Sequence, residues 1–428
     1  MIAALIIGLF LLLMLAGMDV GFSMILAAAA GMLVKTDRVV DTVMVPLTML
    51  SGVDSAALVS VPMFILAGEA MNHGGVTRRL IDWSLAMVGH MRGSLSQVSV
   101  VTNLIMAGVS GSAVADATAT GTALIPAMKS DGYRPGYAGA VIAASAMLGP
   151  IIPPSIPMVI YAVIANLSII KLFLAGVVPG LMLAAGYMVI CAVTARRRNY
   201  GSRPAASWPE RLKTTRQSIW ALMMPVLILG GIRFGIVTDT EASAVIVVYA
   251  LLVGVFIYRE LKLRDLGRLI YDAGRTSAVI LFLLAAAGPF SWLLSESRVA
   301  VGIADSIMAI SSHPAVILLI VNVLLLLVGK VLEPLPAMVI FLPALLPIQQ
   351  QLAIDPIQFA MIVILNLMIG MQTPPIGLLL FVVSAVGRVP IGPVIVEITP
   401  FVLWSLAVLI LICLFPPIVT WLPSLGGL

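Results

Sequence analysis

Apolar runs of about 20 residues, the length a helix needs to cross ~30 Å of hydrocarbon, recur along the whole chain. Backbone in hydrocarbon must satisfy its own polar groups, so such runs restrict the fold to a helical bundle. Of 428 residues, 61% are hydrophobic and 10% charged, against roughly 25% charged in a soluble domain. The fold class expected is an all-α polytopic membrane protein. A net charge of +5 does not call for nucleic acid, because the basic residues sit in short loops where membrane topology accounts for them. The opening MIAALIIGLF lacks the basic segment of a cleaved signal peptide and reads as a retained span. Cys191 and Cys413 lie within apolar segments and three histidines are scattered, which argues against a disulfide and a structural metal site.

Displacing the sequence against itself by 221 positions aligns its punctuation without a gap. Pro126 falls on Pro347, Pro135 on Pro356, Pro153 and Pro154 on Pro374 and Pro375, Pro179 on Pro400, and Gly108 on Gly329. Residues 1–207 map onto 222–428, leaving 208–221 as a linker, which points to a duplicated bundle. Five crossings are expected in each half: 1–17, 20–34, 51–72, 138–167 and 173–195, then 219–235, 240–257, 276–294, 358–387 and 394–415. An odd number reverses the second copy and leaves both termini outside, making the repeat inverted. Basic residues agree: 18 of 24 fall in loops assigned to the inner face, including seven between Arg196 and Arg216. Lys35, Arg38, Lys171, Arg233 and Arg298 fall outside, and Lys330 falls at membrane depth. The basic stretches Gly75–Arg92 and Tyr258–Arg275 read as interfacial arms on the inner surface.

Two segments per half do not behave as simple spans. Residues 94–128 are apolar except at their middle, Gly108–Gly121, which is small and polar; residues 315–349 carry GKVLEPLP at theirs. Each reads as a re-entrant hairpin turning at mid-membrane, which is tolerated only where protein or a wet cavity covers the turn. The following spans, 138–167 and 358–387, carry GPIIPPSIP and GMQTPPIG. Consecutive prolines remove donors and clash with the preceding turn, so both helices are expected to break. Freed carbonyls and hydroxyls suit a hard cation, while half-helix N-termini suit an anion.

SGSAVADATATGTALIPAM (Ser110–Met128), LGPIIPPSIPMVIYA (Leu148–Ala162) and VTDTEASAVIVVYALL (Val237–Leu252) resemble the large membrane subunit of TRAP transporters, the tripartite ATP-independent periplasmic transporters. The resemblance runs over essentially the full chain. It implies an elevator-type secondary transporter in the bacterial inner membrane. Its task would be to import a small carboxylate such as a C4-dicarboxylate, sialic acid or a related sugar or keto acid. Sodium would be the coupling ion, with no other cofactor. Partners would be a periplasmic substrate-binding protein and a small membrane subunit of about four helices. Carried over, one cation site involves Ser110, Gly111 and Ser112 with Gly149, Ile151 and Pro153; the other involves Gly329, Leu332 and Glu333 with Gly370, Gln372 and Thr373. Candidate substrate contacts are Asp116, Ser155, Lys330 and Pro375.

Ionisable groups at membrane depth are costly and default to a functional reading. Asp116 has a rival role capping the outgoing half-helix, and Glu333 a rival role pairing with Lys330 on one turn. Arg298 could steer an anion or dock the binding protein, or be a plain loop charge. GVSG (Gly108–Gly111) resembles the nucleophile motif of intramembrane serine proteases, but His73, His90 and His313 all fall in loops, so no base is at hand and no enzyme is expected. A passive channel fits closed hairpins poorly. A proton-coupled carrier, or one independent of a binding protein, is the alternative; proton coupling would rest on Asp116 and Glu333, sodium coupling on carbonyls and hydroxyls.

Overall fold

The computed structural model describes residues 2–36, 43–297, 302 and 313–425, and every regular element among them is helical. The helices are α1 (Ile2–Leu15), α2 (Val20–Thr36), α3 (Met44–Val53), α4 (Ser60–His73), α5 (Val76–Val88), α6 (Ser94–Ser110), α7 (Ala113–Ser130), α8 (Pro135–Ala146), α9 (Ile156–Ala165) and α10 (Ile169–Arg198). After them come α11 (Trp208–Arg233), α12 (Asp239–Leu252), α13 (Leu266–Glu296), α14 (Pro314–Val331), α15 (Pro334–Gln351), α16 (Pro356–Gln372), α17 (Leu378–Gly387), α18 (Ile391–Leu414) and α19 (Pro417–Ser424).

Two groups of helices pack side by side. In one, α2, α3 and α4 lie on α13, with α12 on α4 and α11 on α5. In the other, α6, α7, α8 and α10 pack with α14 to α18. The second group is built around α8 and α16, which are buried on every side from Gly136 to Ala146 and from Gln358 to Gln372 and mostly apolar there. The outer half-helices cross over: α9 packs on α15, and α17 packs on α7.

Six described helices are long and apolar enough to cross a membrane, or seven if the pair α3–α4, bent by 65°, is one span. The ten sequence-assigned crossings fare unevenly, for physical reasons. Segments 138–167 and 358–387 are each two short helices, because no helix passes Pro150–Pro154 or Thr373–Pro375. Segment 51–72 is not one helix either: α3 ends at Val53, and a 3₁₀ turn, Ala56–Val59, redirects the chain into α4. The supposed linker 208–221 is the first half of α11, capped by Ser207, and the non-helical connection is 199–207. Of the two basic arms, Gly75–Arg92 contains a separate amphipathic helix, α5. Tyr258–Arg275 does not: its residues from Leu266 onward are the first turns of α13. Arg298 and Arg38 lie outside the described residues.

Each hairpin is two helices joined by two residues, Gly111–Ser112 and Leu332–Glu333. These turns stand 221 positions apart, as do the full extents of α7 and α15 and the two cis peptide bonds, Pro153–Pro154 and Pro374–Pro375.

Candidate functional site

The first turn is specified by its own residues. Gly111 has φ of 61°, a left-handed conformation, and a Cβ placed on it would stand 2.7 Å from the Pro154 carbonyl oxygen. Glycine thus allows both the turn and its close seat on the broken helix. Ser112 then caps α7, its side chain accepting from the Ala115 N–H at 3.4 Å, so the capping role considered for Asp116 belongs to Ser112. Asp116 is fully buried and accepts from the Ser110 hydroxyl at 2.5 Å through Oδ1. Its Oδ2 is buried with no hydrogen-bond partner, and a Cβ on Gly149 would stand 2.6 Å from it. Ser110 and Gly149 therefore converge on one buried carboxylate, while Gly111 sits against the Pro154–Ile156 backbone and the Ser112 carbonyl accepts from the Asp116 N–H. Of the other residues assigned to this site, the Pro153 carbonyl faces Gly108 of α6, whereas the Ile151 carbonyl abuts Gly176 of α10.

The second turn works by backbone. Gly329 and Gly370 meet face to face: a Cβ on Gly370 would lie 2.6 Å from the Gly329 Cα. No side chain caps α15 at Glu333. Gln372 turns away from the tip, donating to Ser405 Oγ at 2.9 Å on α18, and Thr373 donates to the Ile369 carbonyl of its own helix at 2.6 Å. Lys330 and Glu333 form no ion pair among the described residues, so the internal pair weighed above is not made.

Both turns open on one cavity of about 750 Å³, measured with its mouth. Ser110–Ala115 form one wall, and Glu333, Pro334 and Leu335 the facing one; Pro150, Ile156, Pro157, Met368 and Met371 of the broken helices close it. Three helices, α7, α9 and α15, begin at this cavity with Ala113, Ile156 and Pro334. The fourth side comes from the other helical group: Gly68, Glu69 and Asn72 of α4 and Thr276 and Ile280 of α13. Those residues were not singled out from sequence. Glu69, a lone acid at the end of the apolar run 51–72, carried the signal that membrane-depth charge provides; Asn72 and Thr276 carried none. An adjoining cavity shares Thr276, Ile280 and Glu333 and adds Arg275.

Of the candidate substrate contacts, none lines the main cavity. Asp116 lies beneath its wall; Ser155 is buried, bonding the Pro150 carbonyl and capping α9; Lys330 is half-buried; Pro375 is exposed.

Residues 7–418 match the family described as the tripartite ATP-independent periplasmic transporter, DctM component. The chain belongs to this family. It is 38% identical to the sialic acid TRAP transporter large permease protein of Vibrio cholerae, over 96% of each chain. It is 36% identical to the C4-dicarboxylate TRAP transporter large permease protein of Rhodobacter capsulatus over 100% of each. It is also 36% identical to the 2,3-diketo-L-gulonate TRAP transporter large permease protein of Escherichia coli, over 94% of each. These relatives are permeases rather than enzymes. Among solved structures, the Alcanivorax borkumensis YdaH transporter shares the fold, with a TM-score of 0.61 at 16% identity over 90% of this chain and 91% of that one. This TRAP-family chain is thus a multi-pass, all-helical membrane protein of a transporter.

Proposed function

We propose that the chain is the large subunit of a sodium-coupled importer of a small organic carboxylate. In this reading it sits in the bacterial inner membrane with both termini periplasmic, works with a small membrane subunit, and receives its solute from a periplasmic binding protein. Relatives at near-equal identity are named for sialic acid, a C4-dicarboxylate and a diketo-gulonate, which share a carboxylate and little else.

The observation that carries the reading is the single cavity walled by both hairpin turns, both broken helices and, across from them, α4 and α13. Three helix N-termini at one cavity concentrate positive dipole ends where a carboxylate would sit; the adjoining space holds Arg275 beside Asp272 and Glu333. Beneath the first turn, the unpartnered Asp116 Oδ2 supports a cation there, since an ionised carboxylate buried without a counter-charge is prohibitively costly. Ser110 and the carbonyls around Gly149 would complete its oxygen shell. Around the second turn, where Gly329 meets Gly370, carbonyls alone would serve. Sodium entry releases about 2.3 kcal/mol per charge per 100 mV of potential, available for moving the hairpin group against α4 and α13 as an elevator. The matching offset of turns and helices supports two copies of one unit, and the distribution of basic residues over the loops supports their inversion. Proton coupling is the competing reading, because a buried Asp116 could carry a proton instead.

The test is uptake into proteoliposomes holding both membrane subunits, with the cognate binding protein outside. A sodium gradient should drive uptake and a proton gradient should not, and omitting the binding protein should abolish it. Uptake driven equally by protons would overturn the sodium reading; uptake without the binding protein would overturn the delivery step.

A further inference from the structure

A second charged cavity, of about 920 Å³ with its mouth, shares no lining residue with the main one and lies between α5, the first half of α11 and residues 257–260, which follow α12. Arg78, Arg79 and Arg216 line it, against Asp82 and Glu260. Arg79 is committed to structure: its Nη1 lies 2.6 Å from Glu260 Oε1 and its guanidinium 3.9 Å from the Tyr258 ring centroid. That leaves Arg78 and Arg216, which form no ion pair among the described residues, as two free cations on facing walls. Asp82, also unpaired among them, is the acid that tempers the pocket.

Its surroundings are those of a lipid. Trp220, on its wall, is 42% exposed, and Tyr249 donates to the Trp220 carbonyl at 2.6 Å, fixing that turn of α11. Next to Ile257 on the pocket wall, Phe256 begins an exposed stripe that continues through Leu252, Val248 and Val245 along α12 at helical spacing. Arginines beside an interfacial tryptophan, above a continuous apolar stripe, match a phosphodiester headgroup with its acyl chains beneath.

We propose that this pocket binds the headgroup of an anionic phospholipid, its phosphodiester between Arg78 and Arg216 and an acyl chain along the α12 stripe. The lipid would tie the amphipathic α5 to α11 and α12, bracing the group of helices that faces the hairpins.

The test uses the full chain purified in neutral detergent. Thermal unfolding is followed while phosphatidylglycerol, phosphatidylcholine or inorganic phosphate is added, and co-purifying lipid is identified by mass spectrometry. The chain should be stabilised by phosphatidylglycerol well beyond phosphatidylcholine, and inorganic phosphate should do nothing. R78Q/R216Q, which removes no internal ion pair, should bind phosphatidylglycerol on the order of 30-fold more weakly, as expected for two interfacial charges. R264Q/R268Q, which removes two charges elsewhere, should bind it normally. Equal stabilisation of both variants, or a full effect from inorganic phosphate, would overturn the proposal.

Discussion

The two hairpin turns occupy equivalent places in the sequence yet are built from different materials. At the first, side chains do the work: Ser112 caps, Ser110 donates to Asp116, and a carboxylate oxygen is left over. At the second, Gly329 against Gly370 brings two backbones together, and the polar side chains nearby, Gln372 and Thr373, bond elsewhere. The helices behind the turns repeat the contrast. Asn103 is fully buried in a network with Ser99, Thr120 and Ser145, whereas Asn322 is half-buried and pairs with Asn366 alone among the amides and hydroxyls. A duplicated frame can thus hold two turns of unlike chemistry, one built on a buried carboxylate and one on close backbone approach.

Glycine substitutions should separate the two most sharply. Gly370→Ala drives a Cβ into Gly329 backbone, which has nowhere to retreat, so stability should fall by roughly 3 kcal/mol or more, read as thermal unfolding in detergent. Gly149→Ala meets the Asp116 carboxylate instead, and should abolish uptake while costing less stability. Next in size is the polar seam. Asn103→Leu removes the bonds to Ser145 and Thr120, whose hydroxyls keep those to the Val141 and Asp116 carbonyls, and should cost about 2 kcal/mol for the two lost bonds; Asn322→Leu should cost less than half of that in the same unfolding assay. Ser110→Ala removes the single donor to Asp116 and should raise the sodium concentration for half-maximal uptake about tenfold, near the 1.5 kcal/mol of a charged hydrogen bond. Thr373→Ala, whose hydroxyl serves its own helix, should shift it less than about threefold. The smallest effect is the cap: Ser112→Ala should lose about 1 kcal/mol of stability and Glu333→Ala almost none.

Much of this was legible in the sequence because backbone chemistry is local. Pro150 ends α8 four residues earlier, at Ala146, and Pro374–Pro375 end α16 at Gln372, whatever surrounds them, and Gly111 marks a turn that other residues adopt with difficulty. What was not legible depends on which face of a helix meets another. Nothing local distinguishes Asn72 or Thr276 from other polar residues, and only packing turns them to the cavity. Likewise Gln372 and Ser155 sit in motifs that suggest ligands, yet their side chains bond to Ser405 and Pro150. The bend at Val53–Ala56 is not legible for a different reason: its Asp54–Ser55 break sits in an otherwise apolar run, while the stretch 221 positions later continues as the single helix α13.

Sodium titration of uptake by Asp116→Asn beside Glu333→Gln, in the same proteoliposomes, tests the account at its centre. Asp116→Asn, which keeps the shape and removes the charge, should lose sodium activation, while Glu333→Gln should retain it at a normal half-maximal concentration. Sodium activation unchanged in Asp116→Asn would contradict it.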